Sequence, residues 1–225
     1  MRPFFRGLAQ SLTIAVGYIP VGASFGLAAI HADLSPSMAL LISALVYAGA
    51  SQFILIVLVS GGSSVLGIVS IILLMNLRHL FYGPAVMSRF EPSHRRWPTF
   101  FLAAGLTDEV FATSVSKLTQ QPPADRESWY VGLQLGSYAA WVLGTALGAY
   151  VGHDIIQQSE VLSQSLGFVL PALFFALLLE TKQITPLYVL AGVAVTTLIG
   201  LWLLPVYAVI IVGMLTGVLL AGRRG

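Results

Sequence analysis

The chain contains no cysteine and little charge. Without thiols it has no disulfide framework, no cysteine-ligated metal and no thiol nucleophile. Charged residues make up only 9% of it, against about a quarter in a soluble domain. That scarcity excludes an ordinary water-facing surface. A net charge of +2 is too small to suggest a nucleic-acid partner, and none is expected. No Gly-x4-Gly-Lys-Ser/Thr phosphate loop occurs, so the chain itself does not bind ATP in that way. No cofactor is expected.

What remains is apolar: 57% of the residues are hydrophobic and mean hydropathy is +0.88. A helix crossing a bilayer needs roughly 20 such residues. Suitable runs lie near 8–30, 38–60, 64–88, 97–117, 129–152, 161–180, 186–203 and 205–222. The last two are parted only by Leu203-Leu204-Pro205, so seven helices stand beside eight. The expected fold is all-α: a polytopic helical membrane protein embedded in the lipid bilayer, with 1–225 as one transmembrane domain. Arg2 and Arg6 ahead of an apolar stretch resemble a signal peptide, but the run continues past Ala23, so a retained first helix is expected. With eight crossings and a cytoplasmic N-terminus, Arg2, Arg6, Lys117, Arg126, Lys182, Arg223 and Arg224 fall inside, and Arg89, Arg95 and Arg96 outside. The excess inside favours that orientation, although the 89–96 cluster sits on the wrong side.

A weak internal repeat runs at an offset of 122, matching Gly22 and Gly26 with Gly144 and Gly148, and Ala50 and Phe53 with Ala172 and Phe175. Glycine-rich helices match one another easily, and the charged positions have no counterpart at that offset.

Two apolar runs carry ionisable residues near their centres: Arg78 and His79 in one, Asp108 and Glu109 in the other. A charge at mid-bilayer costs roughly 2.5–3.5 kcal/mol on insertion scales. Such charges face each other or a wet cavity, and mark a path for ions or solutes. Adjacent helical residues point about 100° apart, so one carboxylate pairs with Arg78 while the other faces the pathway; the sequence leaves open which. A static ion pair locking two helices is the competing reading. In the first run, Pro20, Gly22, Phe25 and Gly26 predict a broken helix whose ends line a cavity, against a mere kink with close glycine packing. In the second, the small residues Ala48, Gly49, Ala50 and Ser51 precede Gln52 and Phe53. Gly49, Ser51, Gln52 and Asn76 join the candidate pathway, while Asp108, Glu109 and His79 are the candidate proton carriers. The small-x3-small pairs Gly132/Gly136, Gly144/Gly148 and Gly213/Gly217 read as helix packing.

Taken in order, these motifs resemble the AzlC/YgaZ family: Pro20, Gly22, Phe25 and Gly26; Tyr47 to Phe53; Asn76, Arg78 and His79; Thr107, Asp108 and Glu109; then Leu166, Gly167, Phe168, Leu170, Pro171, Ala172 and Phe174. The likeness covers about residues 5–180. It implies the large subunit of a bacterial branched-chain amino acid exporter in the inner membrane, moving valine, leucine, isoleucine and sometimes methionine on the proton motive force. It also implies a small AzlD/YgaH-type membrane partner. A zwitterionic substrate needs an anion site, a cation site and an apolar pocket. Arg78 with helix-end amides suits the first, Asp108 or Glu109 the second, and Phe25, Phe53, Tyr82 and Phe111 the third. Alternatives are a permease subunit for another small amphipathic solute, a channel or structural subunit, and an ATP-driven importer subunit, though no loop suits a coupling helix. An intramembrane hydrolase using Ser51 and His79 lacks a Gly-x-Ser-x-Gly elbow, so no enzyme is expected.

Overall fold

The computed structural model describes residues 2–91, 93, 96–151, 175 and 186–221, and among these every regular element is a helix. Apart from Phe175, the predicted span over 161–180 lies outside the described residues, as do the motif over 166–174, Arg95, Lys182, Arg223 and Arg224.

Helix α1 (Pro3–His31) starts with proline in its first turn, where a missing N–H is harmless. It runs unbroken through Pro20, so the expected break there does not occur. The reason lies in the partner helix. Helix α8 (Arg126–Ala146), continued by a π-helical turn over Leu147–Val151, packs parallel to α1 along a glycine seam. A Cβ at Gly22 would sit 2.7 Å from the Trp141 carbonyl oxygen, and one at Gly144 2.6 Å from that of Ile19. Gly7, Gly26, Gly132 and Gly148 come closer still to the opposite backbone, and Gly136 faces the Ser11 side chain. The flexibility these glycines would lend an isolated helix is removed by backbone contact. The pairs 22/144 and 26/148 of the offset repeat are thus the two faces of one seam.

Helices α2 (Pro36–Val46) and α3 (Gly49–Ser60) do not make a crossing, as the run 38–60 led us to expect; they form a re-entrant hairpin. Ala39 packs in one cluster with Phe25, Ala29 and Ala149, near the C-terminal end of α1. Lower down, Ser43 meets Thr145 at 2.7 Å and Tyr47 meets Tyr138 at 4.9 Å between ring centroids. The chain then turns back: Gln52 bonds Trp141, Phe53 stands edge-on to Phe25, and Ile56 rejoins the starting cluster. At 1.5 Å per residue, α2 is only about 17 Å long, half a bilayer.

Helices α4 (Val65–Asn76) and α5 (His79–Met87) together form a stretch of 23 residues long and apolar enough to cross a membrane. Leu77 and Arg78 keep helical dihedrals, with the turn tightened by i to i+3 bonds.

Helices α6 (Thr99–Ala104) and α7 (Asp108–Lys117) form a second re-entrant hairpin, entering from the other end. The backbone N–H groups of Arg96 and Trp97 donate to Glu127, at the start of α8. Leu102 lies opposite Tyr130 and Gln134, and Thr107 opposite Tyr18. The chain returns so that Arg126 donates to the carbonyls of Gln121 and Arg89. Arg6 and Asp125 are bridged at 2.7 Å at that same end. Arg89 and Arg96 therefore share an end with Arg6, Lys117 and Arg126, which corrects their placement opposite the N-terminus. Helices α9 (Leu187–Leu203) and α10 (Val206–Ala221) pack antiparallel, with Gly192 against Leu220 and Gly200 against Val209.

Candidate functional site

Breaking a helix inside a membrane leaves carbonyls and amides unpaired. Side chains of α8 cover the carbonyl ends. Tyr138 donates to the Ala44 carbonyl at 3.0 Å, in the last turn of α2. Tyr130 and Gln134 both donate to the Leu102 carbonyl in α6, at 2.9 and 2.7 Å. Gly105 follows because a Cβ there would press on Gln134. The amide end of α3 is treated differently: Ala48 occupies its cap position and offers no side-chain acceptor. At α7, Thr107 accepts from the Val110 N–H.

The two hairpin tips and the α4–α5 turn converge on a cavity of about 520 Å³, within the 300–1,000 Å³ usual for small-molecule sites. Tyr47, Ala48, Gly49 and Ala50 come from the first tip, Thr107, Asp108 and Glu109 from the second, and Arg78 and His79 from α4–α5. Ile14, Gly17, Tyr18 and Val21 of α1 and Trp141 of α8 close the wall.

The mid-run charges led us to expect Arg78 to pair with one of the two carboxylates, and it does so with Asp108, at 2.9 Å. The pair is not sealed, since 43% and 42% of their side-chain surfaces stay accessible. Tyr82 donates to the other oxygen of Asp108 at 2.8 Å, and its ring stacks on Phe111 at 4.2 Å. Glu109 turns toward α1, where Tyr18 lies 2.5 Å from its Oε2 and 2.6 Å from Thr107 Oγ1. Tyr18 has one proton; the charge-assisted bond to the carboxylate is the stronger claim on it.

Of the other expected site residues, only Gly49 and His79 line the cavity. Gln52 and Ser51 stand behind it, fully buried; Gln52 accepts from Trp141 Nε1 at 2.9 Å and Ser51 donates to Asn76 at 3.2 Å. His79 Nδ1 contacts the Asn76 carbonyl, so Ser51 and His79 each bond Asn76 and not one another. Gly22 and Gly26 belong to the α8 seam, and Phe25 packs on Phe53 away from the cavity. Pro20 is exposed on α1 and lines nothing here. Tyr18, Trp141 and the α1 wall were not expected. Their signal is a helical stripe: Ile14, Gly17, Tyr18 and Val21 fall at i, i+3, i+4 and i+7.

A family profile described as AzlC protein matches residues 13–155. The chain is 36% identical over 218 residues to the inner membrane protein YgaZ of Escherichia coli, covering 97% of this chain and 89% of that protein. It is 42% identical over 180 residues to a membrane protein of Archaeoglobus fulgidus, covering 80% and 76%. With the branched-chain amino acid transport protein AzlC of Bacillus subtilis it shares 24% over 178 residues, covering 79% and 67%. No solved structure matches it.

Proposed function

The chain belongs to the AzlC family of membrane proteins, and on that footing we propose that it is the large subunit of a secondary transporter exporting branched-chain amino acids. The observation that carries this reading is the cavity at the meeting of the two hairpin tips. It combines what a zwitterion with an aliphatic side chain needs. Arg78 and the uncapped first amides of α3 offer donors for a carboxylate. Asp108 and Glu109 offer acceptors for an ammonium group, and Ile14, Val21 and Trp141 supply apolar wall. An apolar pocket separates side chains differing by one methylene by only about 1–3 kcal/mol, so valine, leucine, isoleucine and methionine are expected as a set.

Export is driven by the proton motive force, with a carboxylate of the site as the coupling group. Arg6, Arg89, Arg96, Lys117 and Arg126 gather at one end of the bundle, and the positive-inside tendency makes that end, with the N-terminus, cytoplasmic. A small AzlD/YgaH-type membrane subunit completes the transporter. Very little of Val65–Met87 is buried, which leaves α4–α5 free to face that subunit or lipid.

The test is export of labelled leucine from proteoliposomes holding this chain with and without its small partner, under an imposed pH gradient. Gradient-driven, saturable flux requiring both chains is expected. Flux that does not saturate, or that ignores the gradient, would point to a channel instead.

A further inference from the structure

The two adjacent carboxylates of α7 are placed differently. Asp108 is engaged, by Arg78 at 2.9 Å and Tyr82 at 2.8 Å. Glu109 is not: among the described residues no basic group lies within 4.0 Å of it, and it accepts a hydrogen bond from the Tyr18 hydroxyl. It is exposed, and the space it faces is the cavity. A second group there lacks a partner. Tyr47 is 6% exposed, its hydroxyl is buried without a hydrogen bond among the described residues, and it lines the same cavity. The nearest candidate partner for that hydroxyl is Thr107, but the Thr107 oxygen is already engaged by the Val110 N–H and the Tyr18 hydroxyl and makes no well-formed bond to Tyr47; the Glu109 carboxylate acts on it through its charge. Its backbone is left-handed, with φ 41° and ψ 44°, a conformation unfavourable for a bulky aromatic residue. An unmatched carboxylate and an unpartnered buried hydroxyl beside it describe a place for a hydrogen-bonding cation.

We propose that Glu109, with the hydroxyls of Tyr47 and Tyr18, is a cation subsite that holds either the substrate's ammonium group or a proton, and not both. The proposal rests on the transporter reading above and supplies its coupling step. When the ammonium arrives, the carboxyl O–H of Glu109 breaks, the proton passes to water, and the carboxylate pairs with the ammonium. When the substrate leaves, a proton from the other side of the membrane re-forms the O–H. No other bond changes. The titratable and charged groups facing this point are Tyr18 on α1, Tyr47 between α2 and α3, Arg78, His79 and Tyr82 around α5, and Asp108 on α7. Helix α8 brings Trp141, which does not titrate. Because Asp108 matches Arg78, Glu109 is left as the unmatched carboxylate.

The experiment measures proton release on adding leucine to the purified full-length complex in weakly buffered detergent solution, across a series of pH values. Wild type is expected to release protons in proportion to leucine bound, and the hydroxy-acid analogue of leucine, which lacks the ammonium, to release none. Glu109→Gln should bind leucine without proton release, and Tyr47→Phe should weaken leucine binding about threefold to tenfold while keeping the release. Release by Glu109→Gln, or equal release by the hydroxy acid in wild type, would overturn the proposal; the second arm needs no variant to fold. If wild type binds no branched-chain amino acid, the functional reading fails separately. Methylammonium then replaces leucine, and a failure of wild type to release protons on its addition overturns the subsite as well.

Discussion

Removing Arg78 should be less damaging than removing half of a sealed ion pair. Opposite charges about 4 Å apart attract by about 4 kcal/mol at an effective dielectric constant of 20. Desolvation takes most of that back. Exposed pairs measure about 0.2–1 kcal/mol, whereas breaking a sealed pair costs about 3–5 kcal/mol. Here more than two-fifths of each side chain stays accessible, and Tyr82 still bonds Asp108 when Arg78 is gone. The expected coupling between Arg78→Ala and Asp108→Asn is therefore about 1–2 kcal/mol, between those limits. A double-mutant cycle on reversible unfolding in mixed micelles measures it. The double variant should regain part of the lost stability while export stays lost, because the cavity's charge pattern is not restored. A coupling below about 0.3 kcal/mol, the usual additivity of independent sites, would refute the pairing. A cost above about 4 kcal/mol for Arg78→Ala alone would refute the wet cavity, since only a stranded charge is that expensive.

Because the chain has no native cysteine, single cysteines report the hairpins directly: Ser88→Cys and Thr119→Cys should react with an impermeant maleimide from one side, and Ser63→Cys from the other. Opposite sides for positions 88 and 119 would make α6–α7 a crossing and refute the re-entrant fold. Gly144→Val should abolish the folded yield, since its Cβ would press on the Ile19 backbone, while Gly17→Ala, with nothing within 4 Å, should be nearly neutral in the same detergent-stability assay. Trp141→Phe should cost about 1–3 kcal/mol of stability by leaving Gln52 without its donor; Gln52→Leu should cost less, because it also removes an Nε2 that is buried without a partner.

The helical class, the pairing of Arg78 with one of the two adjacent carboxylates and the packing role of Gly132/Gly136 and Gly144/Gly148 were legible from residue type and spacing; that the carboxylate is Asp108 was not. The hairpins were not. Hydropathy counts apolar residues and is blind to direction, so a hairpin built from an 11- and a 12-residue helix reads as one crossing. The signal against that reading was electrostatic. Turning two crossings into two hairpins leaves everything after residue 117 on its original side. It moves only the two connections between them. The first, Gly61-Gly62-Ser63-Ser64, is uncharged; the second carries Arg89 and Arg96. Their misplacement was the visible trace of both hairpins at once.

Pro20 misled for a related reason. Proline and glycine report what a helix can tolerate alone, and α1 is not alone: the α8 backbone lies in its glycine groove. The breaks occur where α8 can satisfy them, opposite Tyr130, Gln134 and Tyr138. Those three side chains donate only to carbonyls, so they cover the C-terminal halves of the broken helices. The N-terminal half of α3 meets the cavity with no capping side chain. Its amides and the positive end of its dipole are thus directed at whatever occupies that space. Arg78, already matched by Asp108, adds geometry more than net charge. The carboxylate of a bound zwitterion is then expected against Gly49 and Ala50, and its ammonium toward Glu109. Adding a β-carbon tests the first half of that statement. Gly49→Ala would bring one to 3.0 Å from the Trp141 ring. It should therefore raise the KM for leucine more than it lowers kcat, with some loss of stability because the buried Trp141 ring must shift. An unaltered KM would move the carboxylate away from α3.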